Sequence, residues 1–262
     1  MKPTLPNELA DNNSLDASGG SVFLNLFDTA EGPLNRPVRL NAHLTGTAQT
    51  LEFFHMDNEG LIYCGVEIDD PDILYALSDD YRELLRQRNG FILFDGGLHI
   101  RGAVQSPEWH SLRKVWRGDL ALHELFPAVE ESDVPFGQDC LGDQFLLRSG
   151  VVHRLSGESG EIESLAMDLE TFLDRAREDP VEFLSLHPLL QFFSDGGELE
   201  PGQLLNAYPP FIMKEAADGV SLKAVSMFQQ ISFLADLTRL VGNLADGEQV
   251  RITVINVPNG EI

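Results

Sequence analysis

The stretch from Val134 to Leu155, VPFGQDCLGDQFLLRSGVVHRL, constrains the fold of this chain more than any other segment. A Pro-Phe pair opens it, and a Gly-Asp pair at Gly142-Asp143 separates the entry from two apolar runs, QFLLR and VVHRL. Two such runs joined by a short turn with glycine are typical of a β-hairpin. The sequence therefore predicts that QFLLR and VVHRL pair around Ser149-Gly150.

Helical periodicity appears on both sides of this hairpin. Before it, PDILYALSDDYRELLRQRNG follows the acidic start Asp69-Asp70 and ends at Asn89-Gly90, and Ser78 allows a break into two helices. FILFDGGLHIRG then predicts a strand, a turn and a second strand. After the hairpin and a short strand EIESLAM, DLETFLDRARED predicts a helix that buries one apolar stripe: Leu169, Phe172, Leu173 and Ala176. The fold class is thus α+β, with a mixed, mainly antiparallel sheet flanked by helices.

Four regions follow from these patterns. Residues 1–20 are polar and predict a flexible leader, residues 21–68 predict a small β region, and residues 69–190 form the core. Residues 191–262 predict a strand, a helix and a strand packed on that core: VSLKAVSMF, QQISFLADLTRLVGNL and QVRITVINV. Within the core, VEFLSLHPLLQFF predicts a short helix broken by Pro188.

The segment SPEWHSLRKVWRGDLALHELFP fits either a helix or an extended surface loop. On a helix, Trp109 and Trp116 would share one face, because they are seven residues apart. An exposed tryptophan on that face would make a good interface anchor.

Charge is the strongest compositional signal. The chain carries 42 acidic and 18 basic residues, a formal net charge of −24. Such a field repels nucleic acid and anionic membranes, because phosphates are bound by clustered Lys and Arg. A basic protein is the natural partner, although acidity that serves only solubility is an equal alternative.

The remaining composition favours a cytosolic protein. The two cysteines, Cys64 and Cys140, show no metal-ligand spacing, and a chain with this much apolar sequence needs no disulfide. The N-terminal residues lack the basic and apolar regions of a secretory signal, and no apolar run is long enough to span a bilayer. A cytoplasmic location is the expectation.

Candidate chemistry is sparse. His99 and His110 flank Arg101, but their spacing matches no metal-binding or HExxH pattern, so a structural role is favoured. Asp139, Asp143 and Glu158 could act as a general acid and base, yet aspartates beside glycines are explained equally well as turn residues. No phosphate-binding glycine loop and no GxSxG motif occurs. We therefore predict no catalytic residue, no cofactor and no metal.

A binding function remains, and aromatic and acidic residues around the hairpin are its candidate contacts. These are Trp109, Trp116, Asp139, Asp143, Glu158 and Glu161.

The segments LLRQRNGFILFDGG, VPFGQDCLGDQFLLR and GVVHRL resemble the SUKH superfamily, the fold of many immunity proteins and of fungal cell-wall regulators. The shared positions are Asn89-Gly90, Pro135-Phe136, Gly142-Asp143 and the strand Phe145–Leu147, with DLETFLDRARED as the helix after the sheet. The resemblance covers roughly Asp69 to Pro188 and is greatest to the branch related to type VI secretion immunity proteins. Phe91 departs from it, because many members have glycine there.

This resemblance implies a protein without enzymatic activity whose surface binds another protein. Many SUKH proteins neutralise a cognate toxin, commonly a nuclease, and a basic nuclease cleft would attract an acidic chain. The alternative is a SUKH-like regulatory or scaffold module that binds a cellular protein. An enzyme would require polar residues that converge in a pocket.

Overall fold

The computed structural model describes residues 60–242 and the backbone of two short strands, β1 (Phe23–Leu24) and β11 (Thr253–Val254), which pair in parallel. The chain divides into two units, one of Met1–Pro37 with Leu244–Ile262 and the other of Val38–Asn243. The predicted leader, most of the predicted N-terminal β region and most of the last predicted strand lie outside the described residues.

A seven-stranded sheet forms the centre of the second unit. Its strands are β2 (Tyr63–Cys64), β3 (Phe91–Leu93), β4 (Leu98–Ile100), β5 (Val134–Asp139), β6 (Gln144–Arg148), β7 (Val151–Leu155) and β8 (Ile162–Ser164). They lie side by side in sequence order, and each neighbouring pair is antiparallel. A separate hairpin pairs β9 (Gln203–Tyr208) with β10 (Ser221–Ser226).

Helices complete the α+β fold that the sequence predicts. They are α1 (Pro71–Ala76), α2 (Asp79–Gln87), α3 (Leu112–Trp116), α4 (Leu122–Leu125), α5 (Leu169–Glu178), α6 (Pro180–Phe183), α7 (His187–Ser194) and α8 (Met227–Gly242). Short 3₁₀ turns lie at Phe94–Gly96, Glu108–His110 and Lys214–Asp218. None of the helices between residues 60 and 242 is long and apolar enough to cross a membrane.

The sheet packs between two hydrophobic clusters. Along β6, Phe145 and Leu147 join the cluster that includes Phe172 of α5, whereas Leu146 joins the cluster of α8. Successive residues of a strand point to opposite faces, so one short strand supplies both cores. The Phe145 and Phe172 rings lie 4.7 Å apart between centroids.

Several sequence predictions are confirmed by local chemistry. Asp70 caps α1 by accepting a hydrogen bond from the backbone N–H of Ile73 at 3.3 Å, and the chain breaks at Ser78 before α2. The predicted hairpin is the β6–β7 pair, in which Arg148 lies opposite Val151. The four stripe residues of α5 are all buried.

Two other predictions need correction, and one strand was missed. Trp109 lies in a 3₁₀ turn and Trp116 ends α3, with extended backbone at Ser111 between them, so they do not share a helix. Pro188 does not break a helix, because it occupies the first turn of α7, where its missing N–H costs no hydrogen bond. Strand β9 was not predicted.

Candidate functional site

The turn between β5 and β6 is built over a buried carboxylate. Asp139 is 1 % exposed, and its Oδ1 accepts hydrogen bonds from the backbone N–H groups of Leu141, Gly142 and Asp143 at 2.9, 2.9 and 3.0 Å. Gly142 has φ = 100°, and a Cβ there would lie 2.8 Å from Cδ1 of Leu234. Glycine at position 142 is therefore favoured by the backbone conformation, and a larger residue there would also displace the Leu234 side chain.

Arg154 of β7 joins this turn to the next one. Its Nε donates to Oδ2 of Asp143 at 2.9 Å, and its guanidinium also lies 3.5 Å from Oδ2 of Asp139. The other oxygen of Asp143 accepts from the backbone N–H of Gly157 at 2.8 Å. Two carboxylates thus share one guanidinium, and Asp143 ties the β5–β6 turn to the β7–β8 turn.

The pKa of Asp139 is raised to about 7, chiefly because burial penalises its ionised form and secondly because Asp143 is close. Arg154 and the N–H groups of the turn oppose this rise. The carboxyl can therefore change its protonation state near neutral pH.

A cavity of about 630 Å³ opens beside this pair of turns. It is lined by Asp143, Arg154, Ser156, Ser159, Glu161, Ile162 and Glu163. Glu161 and Glu163 are exposed, and the one arginine of the lining already contacts two carboxylates. The cavity consequently presents negative charge to solvent.

A second cavity, of about 320 Å³, shares Asp143 and Ser156 with the first. Its lining is more apolar and includes Leu141, Ala207 and Leu234. The two cavities are neighbours that share the Asp143 side chain.

Glu158 holds the loop above the second cavity. Its Oε1 accepts from the backbone N–H of Phe211 at 3.0 Å, and its Oε2 accepts from that of Ile212 at 2.7 Å. Burial raises the pKa of Glu158, and the two N–H groups partly offset that rise. This glutamate therefore fixes a loop, and both of its oxygens are already engaged by backbone N–H groups of the chain itself.

Three of the six predicted contact residues thus meet at one place: Asp143, Glu158 and Glu161 surround the two cavities. Trp109 is half-buried and packs edge-on against Tyr63, with ring centroids 4.6 Å apart. Trp109 lines neither of the two cavities.

The other two predicted contact residues, Trp116 and Asp139, lie in the interior. Trp116 is 5 % exposed, and its Nε1 donates to the backbone oxygen of Glu131 at 3.3 Å. The guanidinium of Arg117 covers the ring at 4.0 Å. Side chains with so little accessible surface do not anchor a partner in this conformation, so both are removed from the candidate surface.

Residues that the sequence reasoning missed are Glu163, Phe211 and Ile212. Glu163 lies in the edge strand β8, between Ile162 and Ser164. The sequence signal for Phe211 and Ile212 is the run YPPFIM. Two prolines there interrupt regular structure directly before large apolar residues, which indicates an apolar loop.

The histidines form a separate, buried network that the spacing did not reveal. Nε2 of His99 lies 2.9 Å from Nδ1 of His110, and Nε2 of His110 lies 2.8 Å from the backbone oxygen of Asn89. Gln138 Nε2 lies 3.4 Å from Nδ1 of His99. Because each ring must donate at Nε2 and accept at Nδ1, both histidines are neutral, and a proton on either would set two donors face to face.

Burial is the main reason that the pKa of His110 is lowered to about 4 and that the pKa of His99 is lowered well below its usual value. His110 and Arg101 add to this effect at His99. In the part of the chain from residue 60 to 242, no group of three or more metal-ligating side chains is present. Both rings lie in the core and contact each other, Gln138 and the backbone of Asn89, which is an arrangement of structural side chains.

Replacing both histidines by glutamine is expected to reduce the loss of unfolding free energy as the pH falls. The unfolded chain takes up protons at the ordinary histidine pKa and the folded chain does not, so native stability falls as the pH drops below about 6.5. Denaturant unfolding at pH 5 to 7 should show the slope reduced by up to about 1.4 kcal/mol per pH unit for each histidine. The exposed His187→Gln variant is the control, and an unchanged slope in the double variant would contradict the neutral pair.

No protein-family model and no curated protein matches this chain.

Proposed function

We propose that this chain is a non-enzymatic, acidic binding protein of the immunity type, which neutralises a basic protein toxin, such as a nuclease, by covering its basic surface. The observation that carries the proposal is the cavity of Asp143, Glu161 and Glu163, which shares Asp143 with the neighbouring cavity lined by the exposed Phe211. An acidic patch next to an aromatic group is what an antidote to a basic protein needs, because charge steers the encounter and apolar contact retains the complex.

The distribution of cations supports the same proposal. Many basic side chains between residues 60 and 242 are already engaged by carboxylates: Arg82 by Asp79, Arg113 by Asp70, Lys114 by Glu108 and Asp119, Arg148 by Glu130 and Asp133, and Arg239 by Asp236. The excess of acid in the chain is therefore expressed as a negative field at the surface. Such a field raises the rate of association with a basic partner and falls with ionic strength.

The resemblance to the SUKH superfamily is the second support, because many of its members are antidotes to toxins. Other members bind cellular proteins as regulators, and this scaffold role is the alternative. The identity of the partner separates the two.

The test is capture of partners from the source cells by the purified chain at low and high salt, followed by mass spectrometry. A basic protein released at high salt is then expressed in a susceptible host, and co-expression of this chain should restore growth. Capture of a cellular protein without toxicity would instead support the regulatory scaffold.

Charge reversal at the cavity should weaken that complex. We expect the Glu161→Lys/Glu163→Lys variant to bind at least about tenfold more weakly at low salt, with a flatter dependence of affinity on salt. Both carboxylates are exposed, so the fold should be retained. The control is Glu67→Lys/Glu124→Lys, which makes the same change in net charge at exposed residues outside both cavities. Equal losses in the two variants would indicate that only net charge matters.

A further inference from the structure

An exposed apolar segment, residues 208–212, begins at the last residue of β9, continues into the loop that follows it, and contributes Phe211 to the second cavity. Tyr208, Phe211 and Ile212 are 43, 42 and 43 % exposed, and two prolines separate Tyr208 from the other two. Single exposed apolar side chains are normal on protein surfaces, but three within five residues concentrate exposed apolar surface in one segment, as interaction sites do.

The loop is held in a defined conformation. Both oxygens of Glu158 accept backbone N–H groups from it, at Phe211 and Ile212. A segment that is fixed before binding loses less conformational entropy on association than a free one. The exposed side chains are therefore presented as a formed surface.

Beneath the loop lies the second cavity, of about 320 Å³. Phe211 is part of its wall, together with Leu141, Ala207 and Leu234, and polar side chains such as Ser156, Glu158, His187 and Gln230 complete the lining. The apolar part of this wall favours an apolar side chain, because its burial removes hydrocarbon surface from water.

Charge determines which apolar segment fits. Asp143 separates this cavity from the acidic one, where Glu161 and Glu163 are exposed. A ligand that fills the apolar cavity and continues past Asp143 meets carboxylates, so a cationic side chain is favoured there and an anionic one is repelled. If acidity served solubility alone, it would give no reason for an apolar loop and cavity at this place.

We infer that the protein binds a basic amphipathic segment of its partner, with an apolar side chain under the loop of residues 208–212 and a Lys or Arg side chain against Glu161 and Glu163. This inference rests on the proposed function and defines the partner's contact. It requires both halves of the surface together.

The test is selection of random linear peptides, displayed on phage, against the full chain. Sequences in which Lys or Arg lies close to a large apolar residue should be enriched. The selected peptides are then synthesised, and their affinities are measured by fluorescence anisotropy.

Two variants separate the halves of the surface. Phe211→Ser/Ile212→Ser removes the exposed apolar groups, and Glu161→Gln/Glu163→Gln removes the carboxylates without altering size. Each is expected to weaken binding of the selected peptides about tenfold or more. Tyr75→Ser, at a residue 70 % exposed elsewhere on the chain, is the matched control and should leave the affinity unchanged. Thermal unfolding checks that each variant is folded.

Three outcomes would overturn the inference. Basic peptides that respond to the carboxylate variant and not to the loop variant would leave the acidic binding function standing without the apolar contact. Peptides with no basic preference would remove both proposals. A selection that yields no sequence with more affinity for the native chain than for the loop variant would show that the surface does not bind such a segment.

Discussion

The Arg101→Met variant is expected to lose about 3 kcal/mol of unfolding free energy. Arg101 is 0 % exposed, and its guanidinium donates to the backbone oxygens of Pro135 and Gly137 at 2.8 and 3.2 Å. It also donates to the side-chain oxygens of Gln138 and Gln144 at 2.6 and 2.7 Å. Methionine fills a similar volume but donates nothing, so four buried acceptors lose a donor.

The expected loss is a balance of two effects. All four hydrogen bonds of this guanidinium go to neutral oxygens, and burial lowers the pKa of Arg101 to about 10, so removing the cation returns part of its desolvation cost. Oε1 of Gln138 keeps a donor in Nε2 of Gln144, at 3.3 Å. We expect the loss of the guanidinium donors to decide the sign, because the four acceptors belong to β5 and β6 at the centre of the sheet and have little access to water.

Urea denaturation at neutral pH measures this difference. The control is Arg117→Met, at an exposed arginine over the Trp116 ring, which should change stability by about 1 kcal/mol or less. An Arg101→Met variant as stable as the native chain would show that the cost of burying the cation outweighs its hydrogen bonds.

Local sequence patterns were sufficient to predict the helices and strands whose caps, apolar stripes or turns are visible in the sequence itself. The helix α5 has an Asp168 cap and a clear apolar stripe, and the hairpin β6–β7 has its turn at Ser149-Gly150. Strand β9 was missed because QLLNAY is a short apolar run that follows Pro-Gly and has no alternation to separate it from a loop. The prediction for Pro188 was wrong because proline breaks a helix only in its interior and is well tolerated in the first turn, where Pro188 lies.

The candidate site was predictable in part for the same reason. Acidic residues beside glycines indicated the turns that line the cavities, and Asp143, Glu158 and Glu161 lie in those linings. Their role as contacts to a partner stays a prediction. Burial of Asp139 depends on the closure of the β5–β6 turn by three N–H groups, which no local pattern specifies. The loop of residues 208–212 depends on a contact with Glu158 more than fifty residues earlier.

The contact between the histidines shows this limit most clearly. Pairing of β4 with β5 sets His99 opposite Gln138, and a bridge between Gly102 and Ser111 brings the segment of His110 back to the same place. Register between distant segments determines both contacts. Spacing along the chain therefore gave no sign that two buried rings would meet.

The Asp139→Asn variant is expected to gain about 3 kcal/mol of stability relative to the native chain as the pH rises from 5 to 8. The pKa of Asp139 is about 7 in the folded chain, against an ordinary value of 3.8. Between these values the folded chain keeps a proton that the unfolded chain has lost, so the stability that this group contributes falls as the pH rises. Asparagine does not ionise, and its oxygen can still accept the three N–H groups of the turn.

Unfolding free energies of the native chain and the variant at pH 5, 6, 7 and 8 measure the effect. The contribution of the histidine pair to the pH dependence cancels in the difference, because both proteins contain the pair. The control is Asp168→Asn, at the exposed cap of α5, where Thr171 lowers the pKa of the carboxyl. That carboxyl is ionised in both states from pH 5 to 8, so its variant should differ from the native chain by a constant amount. A constant difference for Asp139→Asn as well would mean that its carboxylate stays ionised. In that case Arg154 and the turn N–H groups outweigh burial, and the charge beside Asp143 does not vary with pH.

A difference that grows with pH would mean that acidification reduces the negative charge behind the cavity. We would then expect binding of a basic partner to weaken below about pH 7 for the native chain and to weaken less for the Asp139→Asn variant.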